Sequence, residues 1–272
     1  MGEKAAIDRV GNPVTVTSLV DDLQAFDLTD EVVLVHASLS SLGWVAGGPQ
    51  AVVDALQSVV TESGTIVMPT FTGQYTDPAG WSNPPVPDHW VEQIREAMPP
   101  FRPAVTPSRE MGTIPECFRT FPDVRRSRHP EFSFAAWGAD ANAIVEDHSF
   151  DDGLGEGSPL ARLYEREAKV LLMGVGYDVN TSFHLAEYRA EIGAKTVSRS
   201  APIQLDGQEQ QVVYETIAID TADFTDLGAD FERDQGGDVG AVGATDVRLL
   251  DQRAMVDFAV EWFETHRTGP DS

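Results

Sequence analysis

The chain has 272 residues, enough to bury a substantial core, and 44 acidic against 19 basic residues give it a formal net charge of −25. A field of that sign repels nucleic acid and anionic membrane, so neither is an expected partner. The single cysteine, Cys117, excludes an intramolecular disulfide and a multi-cysteine zinc site, and no apolar run is long enough to span a bilayer.

In chain order, the opening Met-Gly-Glu-Lys-Ala-Ala has neither the apolar stretch of a secretory signal nor the Ser or Thr of a myristoylation signal, so a cytoplasmic location is expected. Residues 15–30 read as a helix, with Thr17 or Ser18 as N-cap before Leu19, Val20, Leu23 and Phe26. Val32–Val35 reads as a buried strand, Ala51–Val60 as a helix opened by the Gly47-Gly-Pro-Gln turn, and Gly64–Pro69 as a second strand. That order predicts a parallel pair with a crossover helix. Residues 71–115 are punctuated by proline and interleaved with Trp81, Trp90 and Phe101, so little regular structure is expected there beyond a short helix over His89–Ala97. Long irregular stretches of this kind are usually functional.

Strand character resumes at Phe132–Trp137, followed by short helices over Asp140–Glu146 and Ser158–Tyr164, the latter with Ser158 as N-cap and Pro159 at the first helical position. Val170–Met173 is a strand leading into a Gly-x-Gly turn and a helix that starts near Asn180 or Thr181. Ile203–Ile219 predicts antiparallel strands around an Asp206-Gly207 turn, and Leu249–Thr265 a closing amphipathic helix. There is no repeat and no low-complexity linker. The expected architecture is a single α/β domain over residues 1–272, with a central mixed sheet flanked by helices.

The helix after Val170–Met173 carries the most informative pair. His184 and Glu187 are three residues apart, so their side chains share a face. A carboxylate beside an imidazole orients the ring and raises its basicity, which suits a general base near neutral pH. The standard nucleophile-elbow, P-loop, zinc-protease and dinucleotide motifs are absent. The six histidines (36, 89, 129, 148, 184 and 266) show no metal-ligand spacing, so no metal is expected. Cys117 sits in the apolar patch Ile114–Phe118 and reads as a structural thiol.

Several longer motifs follow one another in a telling order: His36–Gln50, Gly64–Thr70, Trp81–Pro87, Thr106–Glu116, Arg126–Pro130, Ser133–Gly138, Leu154–Leu160 and Gly174–Arg189. With them the chain resembles the aminoglycoside 3-N-acetyltransferase family, over nearly its whole length. The resemblance implies the antibiotic N-acetyltransferase fold rather than the GNAT fold. It also implies transfer of an acetyl group from acetyl-CoA to a primary amine of an aminoglycoside or related amino compound. His184 is then the general base and Glu187 its orienting partner. Asp152 and Asp178 are both candidates for a further carboxylate. Ser38, Leu39, Ser40 and Ser41 are expected to hold the CoA phosphates, and Thr70, Thr106, Arg109, Met111 and Phe134 to line the pantetheine and thioester end. Tyr75, Asp77, Trp81, Asp151 and the same two aspartates are expected around a cationic acceptor.

Transfer is expected to be direct, without an acyl-enzyme, in a chain that works alone or as a homodimer. Other readings on the same fold are an amine acetyltransferase of metabolism, an acyl hydrolase, and a CoA-binding protein without catalysis. Only Lys4, Lys169 and Lys195 are lysines, against sixteen arginines. That acidic, lysine-poor composition looks like adaptation to a high-salt cytoplasm, and a halophilic archaeon is the expected source.

Overall fold

The computed structural model describes residues 3–82 and 84–267. Met1, Gly2, Asn83 and residues 268–272 lie outside the described residues, and with them the start of the N-terminal segment and one position of the Trp81–Pro87 motif. After a short helix α1 (Glu3–Asp8), α2 runs over Val16–Leu23. It is shorter than the sequence suggests and capped one turn earlier. Thr15 is the N-cap, and Ser18 lies inside the helix, its hydroxyl returning to the Thr15 backbone N–H at 2.9 Å. This reciprocal pair satisfies two donors that a helix start otherwise leaves open.

Strand β1 (Val32–Ala37), helix α3 (Gly48–Val60) and strand β2 (Thr65–Pro69) form the expected crossover, with β1 and β2 parallel. Strand β5 (Lys169–Met173) pairs with β1 on its other side, also parallel. The remaining pairings are antiparallel. β4 (Phe134–Gly138) lies against β2 and carries the two-residue β3 (Arg125–Arg126) at its edge. On the far side β9 (Thr245–Asp251) lies against β5 and β8 (Asp238–Val242) against β9, giving the order β3-β4-β2-β1-β5-β9-β8.

The three parallel strands are apolar on both faces because both faces are covered. Val33, Val35, Ile66, Met68, Leu171 and Met173 point to the side packed by α2, α3 and α5 (Thr113–Phe118). Their neighbours Leu34, Val67, Val170 and Leu172 point to the other side. There they meet α6 (Ala141–Val145), α7 (Pro159–Glu165), α8 (Ser182–Arg189), α9 (Phe224–Gln235) and α10 (Gln252–His266). Alternation across the pleat therefore splits continuous apolar runs into two cores. Between β2 and β3 the chain forms short turns, the helix α4 (Val91–Ala97) and then α5.

Strands β6 (Thr196–Leu205) and β7 (Gln208–Ile217) stand apart as a two-stranded hairpin. Its turn is the predicted one, with Asp206 and Gly207 at φ of 50° and 79°. Two parts of the sequence reading are corrected here. Leu249 and Leu250 belong to β9, facing Leu171 and Val170, so α10 begins only at Gln252 with Asp251 as its cap. The acidic stretch after Asp220 holds a full helix, α9, and an edge strand, β8, neither of which the sequence reading anticipates.

Candidate active site

The chain leaves β1 toward β2 on one side of the sheet, while β5 docks on the other. Such a reversal opens a crevice beyond the carboxyl ends of the parallel strands. A cavity of about 670 Å³ occupies that crevice. Its floor is Val35–Ala37 and Pro69; Ser38, Leu39 and Ser40 form one wall and Met111 and Gly112 another. The Ser38 backbone N–H is tied to the Met173 carbonyl at 3.0 Å, which fixes the loop between β1 and β5. The lining is mostly apolar with a few hydroxyls, and Gly47 and Gly48 open α3 beside it, with Gly48 in the wall. Such a site suits a long, largely apolar thioester arm with an anionic end near a helix start.

His36 and Thr181 also line the cavity. Their Nε2 and Oγ1 are 3.3 Å apart. Burial, reinforced by the nearby charge of His184, holds the His36 imidazole down at about 3, so that ring is neutral. One helical turn past Thr181, α8 presents His184. The Nδ1–H of this ring donates to Glu187 Oε2 at 2.5 Å, and both side chains are almost completely buried. With Nδ1 committed, Nε2 is the nitrogen that can accept a proton. Phe224 packs on the ring at a centroid distance of 5.0 Å and restricts its rotation.

Glu187 is held from behind by residues the sequence reading did not single out. Its Oε1 accepts from Arg267 Nη1 at 2.5 Å and from the Asp220 backbone N–H at 3.1 Å. Arg267 in turn grips Asp223 with two bonds of 2.6 and 2.8 Å and lies over the Phe263 ring at 4.0 Å. Burial opposes the charge on this guanidinium, but its bonds to Asp223 and Glu187 outweigh that and raise its pKa above the ordinary arginine value. Neither Asp152 nor Asp178 hydrogen-bonds this group. The partner of the pair is an arginine, because a carboxylate this deeply buried needs a cation. No sequence spacing could reveal a contact 80 positions away.

Of the expected CoA residues, Ser38, Leu39, Ser40 and Met111 line the cavity. The Ser41 hydroxyl bonds Ser38 Oγ at 3.0 Å and braces the loop from within. Three others are committed elsewhere. Phe134 is fully buried against Phe71 in the core, because its strand alternation turns it away from the cavity. Thr70 accepts from Arg126 Nε at 3.0 Å and donates to the Ser133 carbonyl. Thr106 Oγ1 accepts from the Arg102 N–H at 2.9 Å. Arg109 stands near the rim, its Nε 3.8 Å from the Glu110 carboxylate that lines the opening.

The expected acceptor residues divide. Asp151 and Asp152 form a turn clamped by β7: Asp151 Oδ1 accepts from the Glu215 N–H and the Asp152 N–H donates to the Glu215 carbonyl, both at 2.8 Å. The Asp152 carboxyl is pushed up by partial burial and by Asp151 and Glu215 beside it. Tyr188, next to Glu187 in α8, bonds the Thr216 hydroxyl at 2.5 Å and feels the charges of both Asp152 and Glu187. An acidic cluster thus sits one residue beyond the His184–Glu187 pair. Asp178 is exposed on the 177–179 turn. Asp77 is spent on a bidentate pair with Arg95, which outweighs partial burial and holds its carboxyl below the ordinary value. Trp81 donates to Thr76 at 3.1 Å, and Tyr75 packs edge-on to Phe101.

Among the described residues, no group of three or more His, Cys, Asp or Glu side chains could hold a metal ion. No helix among them is long and apolar enough to cross a membrane. Burial, with Asp54 and Glu116 nearby, pushes the Cys117 thiol up, away from thiolate reactivity.

The family model for aminoglycoside 3-N-acetyltransferases matches residues 34–264. The SPbeta prophage-derived aminoglycoside N(3')-acetyltransferase-like protein YokD of Bacillus subtilis (strain 168) is 45% identical over 262 residues, 96% of each chain. Its crystal structure superposes with a TM-score of 0.94, covering 97% of this chain and 98% of that one. Aminoglycoside N(3)-acetyltransferase VII of Streptomyces paromomycinus is 36% identical, covering 97% of this chain and 96% of that protein. A structure of AAC-IIIb in binary complex with CoASH matches at a TM-score of 0.84 and 32% identity, over 96% of this chain and 100% of that one.

Proposed function

The chain belongs to the aminoglycoside 3-N-acetyltransferase family and is an acyltransferase, and from that premise we propose that it moves the acetyl group of acetyl-CoA directly to a primary amine. The observation that carries this reading is a buried His184–Glu187 pair one helical turn past Thr181, which lines the β1–β5 cavity. A relative's complex with CoASH supports the cavity as the place for acetyl-CoA. Ser38 and Ser40 offer hydroxyls to its anionic end, and Met111 packs beside its arm.

An ammonium has no lone pair, so the acceptor must lose a proton before or during attack. The ammonium proton passes to solvent, and His184 Nε2 takes one further N–H proton as the neutral amine nitrogen bonds the thioester carbonyl carbon. Glu187 holds the ring's orientation and stabilises the imidazolium, while Arg267 holds the carboxylate from behind. When the tetrahedral adduct collapses, the C–S bond breaks, the amide remains, and the proton on His184 is available to the departing thiolate. The raised Cys117 thiol supports a route without an acyl-enzyme. Asp151, Asp152 and Glu215 give an acceptor carrying several ammonium groups a matching field. That charge pattern supports an aminoglycoside or a similar amino sugar. The acidic composition supports a cytoplasm rich in salt, as in halophilic archaea.

The test is thiol release from acetyl-CoA in molar salt with a panel of aminoglycosides and simpler amines. Release should depend on an amine and fall about 10²–10⁴-fold in His184→Ala. Release without any amine would instead identify a hydrolase, and CoA binding without release a non-catalytic protein.

A further inference from the structure

In a chain with so many carboxylates, arginines find partners. Arg95 pairs with Asp77, Arg189 with Glu156, Arg248 with Glu232 and Arg253 with Glu167, while Arg162 is taken up by backbone carbonyls. Among the described residues, Arg102, Arg125 and Arg128 make no side-chain hydrogen bond or ion pair, and all three line one cavity of about 600 Å³. Two more arginines form its base. Arg126 is locked by bonds to the Thr70 and Thr106 carbonyls at 2.6 and 2.5 Å, and Arg119 by Glu116. Among the described residues, the only carboxylate in the lining is Asp206, at the tip of the β6–β7 hairpin.

Five guanidinium groups around one concavity repel one another, and in a molecule of net charge −25 they stand out against the surrounding field. Burial and the adjacent Arg119 already depress the Arg126 guanidinium to about 9. An anion relieves that repulsion, and guanidinium forks match phosphate oxygens in pairs. Val105 and Val124 add an apolar wall. Among the described residues, none lines both this cavity and the one beyond β1 and β5. We propose that this cavity is a second binding site, for a small molecule carrying two or more phosphate groups, gripped by Arg102, Arg125 and Arg128.

The experiment is calorimetric titration of the full chain with sodium tripolyphosphate and, separately, with ATP, in the lowest salt that keeps the protein folded. Each titration is repeated with saturating acetyl-CoA. Saturable binding is expected, unaffected by acetyl-CoA and weakened about tenfold or more in Arg125→Gln/Arg128→Gln. Arg102→Gln, on the facing loop, should weaken it independently. These side chains are exposed and unpaired, so thermal melts and acetyl-transfer rates of the variants should match the unmodified protein. That readout separates this site from the transfer reaction. Tighter binding of ATP would identify a nucleotide as the ligand class, and equal binding the phosphate chain alone; both support the site. Absence of heat with both probes, displacement by acetyl-CoA, or unchanged affinity in all variants would overturn it.

Discussion

At the scale of single residues, the site depends on one carboxylate with two masters. Glu187 accepts from His184 with one oxygen and from Arg267 with the other, at 1% side-chain exposure. Arg267→Ala removes the cation from a buried carboxylate, which should cost about 2–4 kcal/mol in a denaturant titration. It should also move the acid limb of kcat/KM to higher pH, because the imidazolium then faces an uncompensated charge. An unmoved limb with the same loss of stability would make Arg267 merely structural. Three other histidines are buried as neutral rings. His36 is held at about 3 by burial and then His184, His129 at about 4 by burial, and His148 well below its ordinary value by burial and then His129. His129 Nδ1 also accepts from the Glu131 and Phe132 N–H groups, bonds that a proton there would break. The unfolded chain takes up these protons near pH 6.5 and the folded chain does not. Stability from this source is therefore complete above about pH 6.5 and is lost as pH falls toward 4. Each depressed unit costs about 1.4 kcal/mol once the medium is acid enough. Melting temperature should already drop between pH 6.5 and 5, before carboxylate protonation relieves the negative surface. A flat profile there would contradict the neutral rings.

Among the elements, those legible in the sequence are the ones whose signals are local. Val32–Val35, Gly64–Pro69 and Val170–Met173 are short β-branched or apolar runs bounded by turn residues, and each is a central strand. Ser158 and Pro159 mark a helix start by chemistry alone, and the Ser158 hydroxyl does accept from the Leu160 N–H. Elements decided by tertiary contact were not legible. Leu249 and Leu250 satisfy a helical pattern as well as a strand, and only pairing with β5 settles them. In α9 the apolar positions Phe224, Leu227 and Phe231 are outnumbered by acidic neighbours, so the helix is hidden by its own charged face. The site divides in the same way: His184 with Glu187 is a three-residue spacing, whereas Arg267 and Asp223 arrive from distant segments. One glycine shows how tightly α9 is seated. A Cβ on Gly228 would lie 2.0 Å from the Tyr177 ring, on the turn just before α8. Gly228→Ala should destabilise the fold by about 1–3 kcal/mol or more, since ring and helix must separate. Because that turn leads into the His184 helix, it should lower transfer as well. A calorimetric melt of the variant checks the first effect and a rate assay the second.

For the whole molecule, charge sets the working conditions. A net charge of −25 on a chain of this size repels itself, and dissolved ions screen that repulsion over about 10 Å at 0.1 M and about 3 Å at 1 M. The melting temperature should climb steeply from low salt to molar salt, with potassium and sodium chloride acting alike. A protein equally stable at both extremes would remove the argument for a salt-rich cell. The same screening shortens the reach of the Asp151, Asp152 and Glu215 charges, so the proposed cationic acceptor would have to be held in strong salt by close contacts and not by long-range steering. The reach of Arg267 back to Glu187 also has a consequence for the order in which the molecule comes into being. Synthesis delivers His184 and Glu187 well before the segment that carries Arg267, and until that segment docks, Glu187 has no cation to accompany it into the interior. Its carboxylate must then stay hydrated, with the imidazole beside it unanchored. The paired arrangement of His184 and Glu187 is therefore expected to form only after the segment carrying Arg267 has left the ribosome and docked.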